Sequence, residues 1–254
     1  MKKLLILLTT SIIVFSCGTS DSDTSTEAPK KNNYTLVFFD KTQSVDLDKP
    51  FVRNKYENAL KALLDQHIQK EGDQLDVYYI HENTQKSKAV SLITRTTKEE
   101  TEGLSQTDKE AAETNYQMSI QKERKMMLQI VTQKMLEKNT GSSNAETNVS
   151  ASVPAVSAAG EGGKLVFAYY FSDMVESLKN GRDFHKMAPI SHDQAEEWAK
   201  ADIENYKNYS LINSKVFIVL PFEPTSSTKE NNPNVTDYWK VFFDGLGVSG
   251  VTEI

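Results

Sequence analysis

The tightest constraint on the fold of this chain is a short apolar run that ends on an acid. In residues 34–44, YTLVFFDKTQS, the side chains Leu36, Val37, Phe38 and Phe39 follow one another without a polar break. A strand with one wet face alternates apolar and polar residues. An unbroken run of β-formers instead fits a strand covered on both faces, as in a parallel sheet between helices. The run stops at Asp40, and hydroxyls follow at alternate positions, Thr42 and Ser44. In open α/β sheets the carboxyl ends of the strands are where ligands bind. One carboxylate and two hydroxyls at that edge make an oxygen-only donor set suited to a hard cation such as magnesium.

The arrangement recurs later. Residues 165–171, LVFAYYF, form another wholly apolar run, and it stops at Ser172-Asp173-Met174. Between the two runs, Asp48 reads as an N-cap before Pro50. Tyr56, Ala59, Leu60, Leu63, Leu64 and His67 then recur at helical spacing up to Gly72. Residues 75–80 and 89–93 read as two further buried strands. Residues 98–138, dense in Glu, Lys, Gln and Met, predict one long helix, or two broken near 103–108. Tyr116, Ile120, Met127, Val131 and Met135 fall on one stripe of it, which either packs on its own domain or, being Met-rich, meets a partner. Residues 141–146 read as a loop, and Thr147-Asn148 as the opening of a short helix. That helix carries Val149, Val153 and Val156 on one face, with Pro154 awkwardly inside. Residues 161–163 form the turn into the second apolar run. A helix over 193–209, a strand over 215–220 and a helix over 234–246 with an aromatic face (Val235, Tyr238, Trp239, Phe242, Phe243) complete the chain. The alternation predicts one sizeable α/β domain over 34–254 that carries a long helical segment.

The first residues have a different character. A basic start, Lys2-Lys3, leads into an apolar stretch over 4–15 that is too short for a lasting transmembrane helix and reads as a secretory signal. It ends in Val14-Phe15-Ser16-Cys17-Gly18, which resembles the bacterial lipobox, although Phe15 is bulkier than the usual second residue. Cys17 is the single cysteine of the chain. The resemblance implies a signal over 1–17 and a lipoprotein whose N-terminal Cys17 carries acyl chains, anchored in the outer membrane and facing the periplasm or the outside. An ordinary signal peptide with an incidental cysteine is the competing reading. With Cys17 acylated no thiol remains for a disulfide. Loss of Lys2 and Lys3 takes the formal charge from −6 to −8. An acidic chain without a dense basic patch argues against nucleic acid and against electrostatic docking on anionic lipid, which leaves attachment to the acyl chains. Residues 18–33 are polar and aperiodic, the composition of a disordered tether. Asp21 and Asp23 lie where acidic clusters accompany surface export in some bacterial lipoproteins; a plain solvated linker fits them as well.

Taken together, Asp40-Lys41-Thr42-Gln43-Ser44, Thr147 and Phe171-Ser172-Asp173-Met174, in this order and on these elements, resemble a von Willebrand factor type A domain. The ending Asp237-Tyr238-Trp239-Lys240-Val241-Phe242-Phe243 is similar to the last helix of some bacterial relatives. The resemblance implies a doubly wound, Rossmann-like, mostly parallel sheet flanked by helices, with a long helical insertion and a metal-ion-dependent adhesion site at the carboxyl edge of the sheet. Asp40, Thr42 and Ser44 match the family's Asp-x-Ser-x-Ser loop, with threonine in place of the first serine. Thr147 matches the threonine of the second loop, with Ser142, Ser143 and Ser150 as neighbouring alternatives. Asp173 matches the aspartate of the third loop, which usually holds the metal through water. It further implies magnesium as the ion, a partner protein whose acidic side chain completes the coordination, and no enzymatic activity. Lys41 raises the opposite expectation, because an ammonium turned inward would replace the cation.

Two other readings compete. A buried strand followed by Asp40-Lys41-Thr42 also resembles the phosphorylated loop of haloacid-dehalogenase-like phosphatases, where the aspartate is the nucleophile. That chemistry needs a later acidic pair, whereas Asp173 is followed by Met174 and the next strand supplies only Glu223. The other is a metal-free structural lipoprotein of the envelope that uses the helix of 98–138 as its contact surface. His67 and His81 read as a helix-face and a strand-end residue, and His185 and His192 as solvated ones. None has HExxH spacing, and no Gly-x-Ser-x-Gly elbow or phosphate-binding glycine loop is present.

Overall fold

The computed structural model describes residues 31–138 and 146–254. The signal segment, Cys17, the Asp21/Asp23 pair, most of the tether and the alternatives Ser142 and Ser143 lie outside the described residues. Among the described residues no helix is long and apolar enough to cross a membrane.

Among the described residues six strands form one sheet in the order β3-β2-β1-β4-β5-β6. They are β1 (Asn33–Asp40), β2 (Gln74–Ile80), β3 (Lys88–Ile93), β4 (Leu165–Phe171), β5 (Ser214–Val219) and β6 (Val251–Glu253). All neighbours are parallel except β2 and β3, which pair antiparallel. This is a doubly wound α/β architecture, a mostly parallel sheet with helices on both faces. The apolar run of β1 is central for the reason its sequence suggests: successive side chains alternate faces, and both faces are covered. Leu36 and Phe38 enter the core built with α3 (Val153–Gly160), α4 (His192–Ile203) and α5 (Pro233–Gly245). Val37 and Phe39 enter the core built with α1 (Pro50–His67) and α2 (Gln106–Leu136).

Several sequence expectations need correction. Asp48 does not cap α1; the N-cap is Lys49, without a side-chain bond, and Pro50 opens the helix with its fixed φ. β3 is not a buried strand but a half-exposed edge, antiparallel because a short turn joins it to β2. The segment of 98–138 is a single helix starting after Gly103, where the Ser105 hydroxyl accepts from Asp108 N–H. Its stripe is largely internal, with Ile120, Met127, Val131 and Met135 buried, so it packs on its own domain. Pro154 sits in the first turn of α3, where a missing N–H costs nothing. The helix expected over 193–209 ends as an α-helix at Ile203, and β6 is an element that three residues of weak pattern do not announce.

Candidate metal centre

The sheet order reverses between β1, which ends on Asp40, and β4, which leads into Ser172-Asp173. Phe39 lies opposite Phe171, so Asp40 and Ser172 leave the sheet side by side at its carboxyl edge. Thr42 donates to Asp40 Oδ1 through both its N–H (2.9 Å) and its hydroxyl (2.6 Å). The hydroxyl oxygens of Thr42 and Ser44 are 3.0 Å apart. The hydroxyl of Ser172 donates to Asp40 Oδ2 at 2.6 Å, and the Ser44 hydroxyl lies close enough to the Asp173 carboxylate to favour its charged form. Four of the five expected donors, Asp40, Thr42, Ser44 and Asp173, are thus joined in one chain of contacts. Ser172 joins them as a fifth member; its place directly before Asp173 is the signal that reveals it.

Thr147 is placed differently. It is buried, and its backbone exchanges two hydrogen bonds with Ser177 (3.1 and 2.9 Å), four residues beyond Asp173. Among the described residues no hydrogen bond links its hydroxyl to the other four. Ser150, the described alternative, turns its hydroxyl to the carboxylate of Glu176 instead.

Lys41 does not enter the site. Its ammonium donates to the backbone carbonyls of Lys134 (2.9 Å), Met135 (2.6 Å) and Glu137 (2.7 Å), at the C-terminal end of α2. Those carbonyls lack partners within the helix and carry the negative end of its dipole, so a lysine there is an ordinary cap. The expectation that an ammonium replaces the cation is overturned.

The electrostatics follow from this. Asp40 and Asp173 are only 3% and 7% exposed. Burial, then the charge of Asp173, pushes Asp40 above the usual carboxylate range, although three hydrogen bonds oppose the shift. Burial likewise raises Asp173. On α1, beside both carboxylates, the hydroxyl of Tyr56 is buried with no hydrogen-bond partner. Two buried acids that repel each other, hydroxyls whose lone pairs remain free after donating, and an orphaned Tyr56 hydroxyl together fit a hydrated divalent cation. Among the described residues no three His, Cys, Asp or Glu side chains cluster, so a cation here depends on hydroxyls as well as carboxylates.

The loop after Asp173 carries a backbone feature that the sequence does not disclose. Met174 is a non-glycine residue at φ 61°. That conformation is held from both sides, by Ser172 Oγ accepting from its N–H (2.9 Å) and by Trp239 Nε1 donating to its carbonyl (2.7 Å). Of the clefts that open beside the site, two share Phe222 and Glu230 in their walls. One, of about 440 Å³, begins at Asp173 and runs between Phe184, His185 and Val235. The other, of about 540 Å³, begins at Ser44 and is floored by Phe51 and Val52.

No protein-family model matches this chain, and no curated protein is similar to it. Solved structures to which it is similar include a von Willebrand factor type A protein from Catenulispora acidiphila (14% identity, TM-score 0.34, covering 88% of this chain and 39% of that one). Others are proximal thread matrix protein 1 from the mussel byssus (13%, TM-score 0.35, 88% and 44%) and a mutant of the PilB minor pilin from Streptococcus sanguinis (8%, TM-score 0.38, 91% and 59%). The chain spans 39% to 59% of the lengths of these structures. At such identities and scores no residue role passes from them to this chain.

Proposed function

We propose that this chain is a lipid-anchored, extracytoplasmic A-type domain that binds a partner protein through a magnesium-dependent site made by Asp40, Thr42, Ser44, Thr147 and Asp173. The observation that carries this reading is the pair of buried acids at the switch point of the sheet, ringed by hydroxyls, with the Lys41 ammonium turned away to the end of α2 and His185 the basic side chain nearest Asp173. A magnesium ion bound there would supply a hard Lewis-acid position for one carboxylate oxygen of the partner. The chain's own residues do the rest. Asp40 and Asp173 provide the negative charge, and Thr42 and Ser44 orient lone pairs while keeping their protons on the carboxylates. Ser172 holds Asp40 in position.

Isothermal calorimetry with magnesium, before and after chelation, tests the site. The account expects saturable binding that Asp40→Ala abolishes while circular dichroism stays that of the folded domain. Equal binding in the variant, or none in the wild type, sinks the metal mechanism and favours the metal-free structural role. For the anchor, the expected result is an acyl mass on the mature protein that Cys17→Ser removes; an unmodified Cys17 refutes it.

A further inference from the structure

The carboxylate of Glu176 grips the segment that carries Thr147. Glu176 lies three residues beyond Asp173 and is 2% exposed. It accepts from the N–H groups of Val149 (2.6 Å) and Ser150 (3.2 Å) and from the hydroxyl of Ser150. One residue further on, Ser177 exchanges its pair of backbone bonds with Thr147, and Phe184 N–H donates to the Glu176 carbonyl at 2.8 Å. The loop that leaves Asp173 therefore holds the Thr147 segment by two adjacent clasps, one of backbone and one of carboxylate. Burial is costly enough to lift Glu176 to about 7 despite three donors, and Asp202 adds to the rise. A neutral serine or asparagine would cap the same amides without that cost. Three donors converging on one buried side chain pin the segment at three points, and that rigidity is what a cation with strict octahedral demands requires of its supports.

We infer that Glu176 is a positioning residue: by clasping 149–150 it fixes Thr147 relative to Asp173, and so sets how tightly the site holds a divalent cation. The inference rests on the proposed magnesium-site reading and adds to it a residue outside the five donors.

The test uses the full chain in detergent, with Mn²⁺ as probe and free Mn²⁺ read by electron paramagnetic resonance on samples verified as folded. Glu176→Gln keeps the size of the side chain and removes its charge. It is expected to weaken Mn²⁺ binding about tenfold or more, the usual effect of removing a support behind a ligand. In a Thr147→Ala background the same change is expected to add nothing, which a general loss of stability would not reproduce. Ser150→Ala, which removes a single contact of the clasp, is expected to show the same pattern with a smaller loss, and serves if Glu176→Gln does not fold. Wild-type affinity in the folded variants overturns the positioning role and leaves the metal reading standing. An equal loss in both backgrounds also overturns it, because Glu176 then acts other than through Thr147. A wild-type chain that binds no Mn²⁺ overturns the metal reading, and this inference with it.

Discussion

At the scale of single residues, burial decides which charges this fold tolerates. His67, at the end of α1, is buried, stacked on Phe167 with centroids 3.8 Å apart, and 2.8 Å from the hydroxyl of Tyr169. Burial, then the neighbouring charge of Lys215, brings its pKa down to about 4. Between about 6.5 and 4 the unfolded chain binds a proton at this position that the folded chain does not. Its stabilising effect is therefore complete above about pH 6.5 and is lost as pH falls toward 4, by at most about 3 kcal/mol. Glu176, raised to about 7, works with the opposite sign: its ionisation opposes folding, so its contribution improves as pH falls through the same range. Comparison with His67→Gln separates the two. The gap in melting temperature between pH 7 and pH 5 is expected to shift toward greater relative acid stability in the variant; an unchanged gap contradicts a neutral, buried His67. The sequence disclosed His67 only as a helix-face residue, because its partners Phe167, Tyr169 and Lys215 lie a hundred positions or more away.

At the scale of elements, the strands and helices were legible wherever periodicity was strong. β1, β4 and the buried stripe of α2 follow from their apolar patterns. The edge strands were not legible in the same way. Lys88–Ile93 carries the composition of a buried strand, and only its place beside β2 exposes it. Among the site residues, Asp40, Thr42, Ser44 and Asp173 were visible as strand-end oxygens. Glu176 and Tyr56 were not, since a buried acid and an orphaned hydroxyl are defined by three-dimensional neighbours. Lys41 belongs here too, because its role concerns a helix 93 to 96 residues away in sequence. Lys41→Met keeps the apolar stem but removes donors from three carbonyls, and is expected to cost about 2 kcal/mol, as charge-assisted hydrogen bonds do. The last turn of α2 is expected to lose protection in amide hydrogen exchange while β1 keeps its own. Unchanged protection at residues 133–137 contradicts the cap.

At the scale of the whole molecule, the sheet brings two distant strand ends together, and one loop after β4 serves both the acids and the Thr147 segment. The order β3-β2-β1-β4-β5-β6 reverses between β1 and β4, so residues 132 positions apart, Asp40 and Ser172, meet at 2.6 Å. Helices cover both faces, so the carboxyl edge is where backbone and side-chain polar groups face outward between Phe222 and Phe184, beside the two clefts. The most direct test of the proposed site is anomalous scattering from crystals grown with Mn²⁺. The account predicts a single strong peak bounded by Asp40, Thr42, Ser44 and Asp173, with oxygens at about 2.1 Å and one position open to water or a ligand carboxylate. A folded protein with no peak there at saturating Mn²⁺, its hydroxyls still paired only with Asp40 and Asp173, would contradict it.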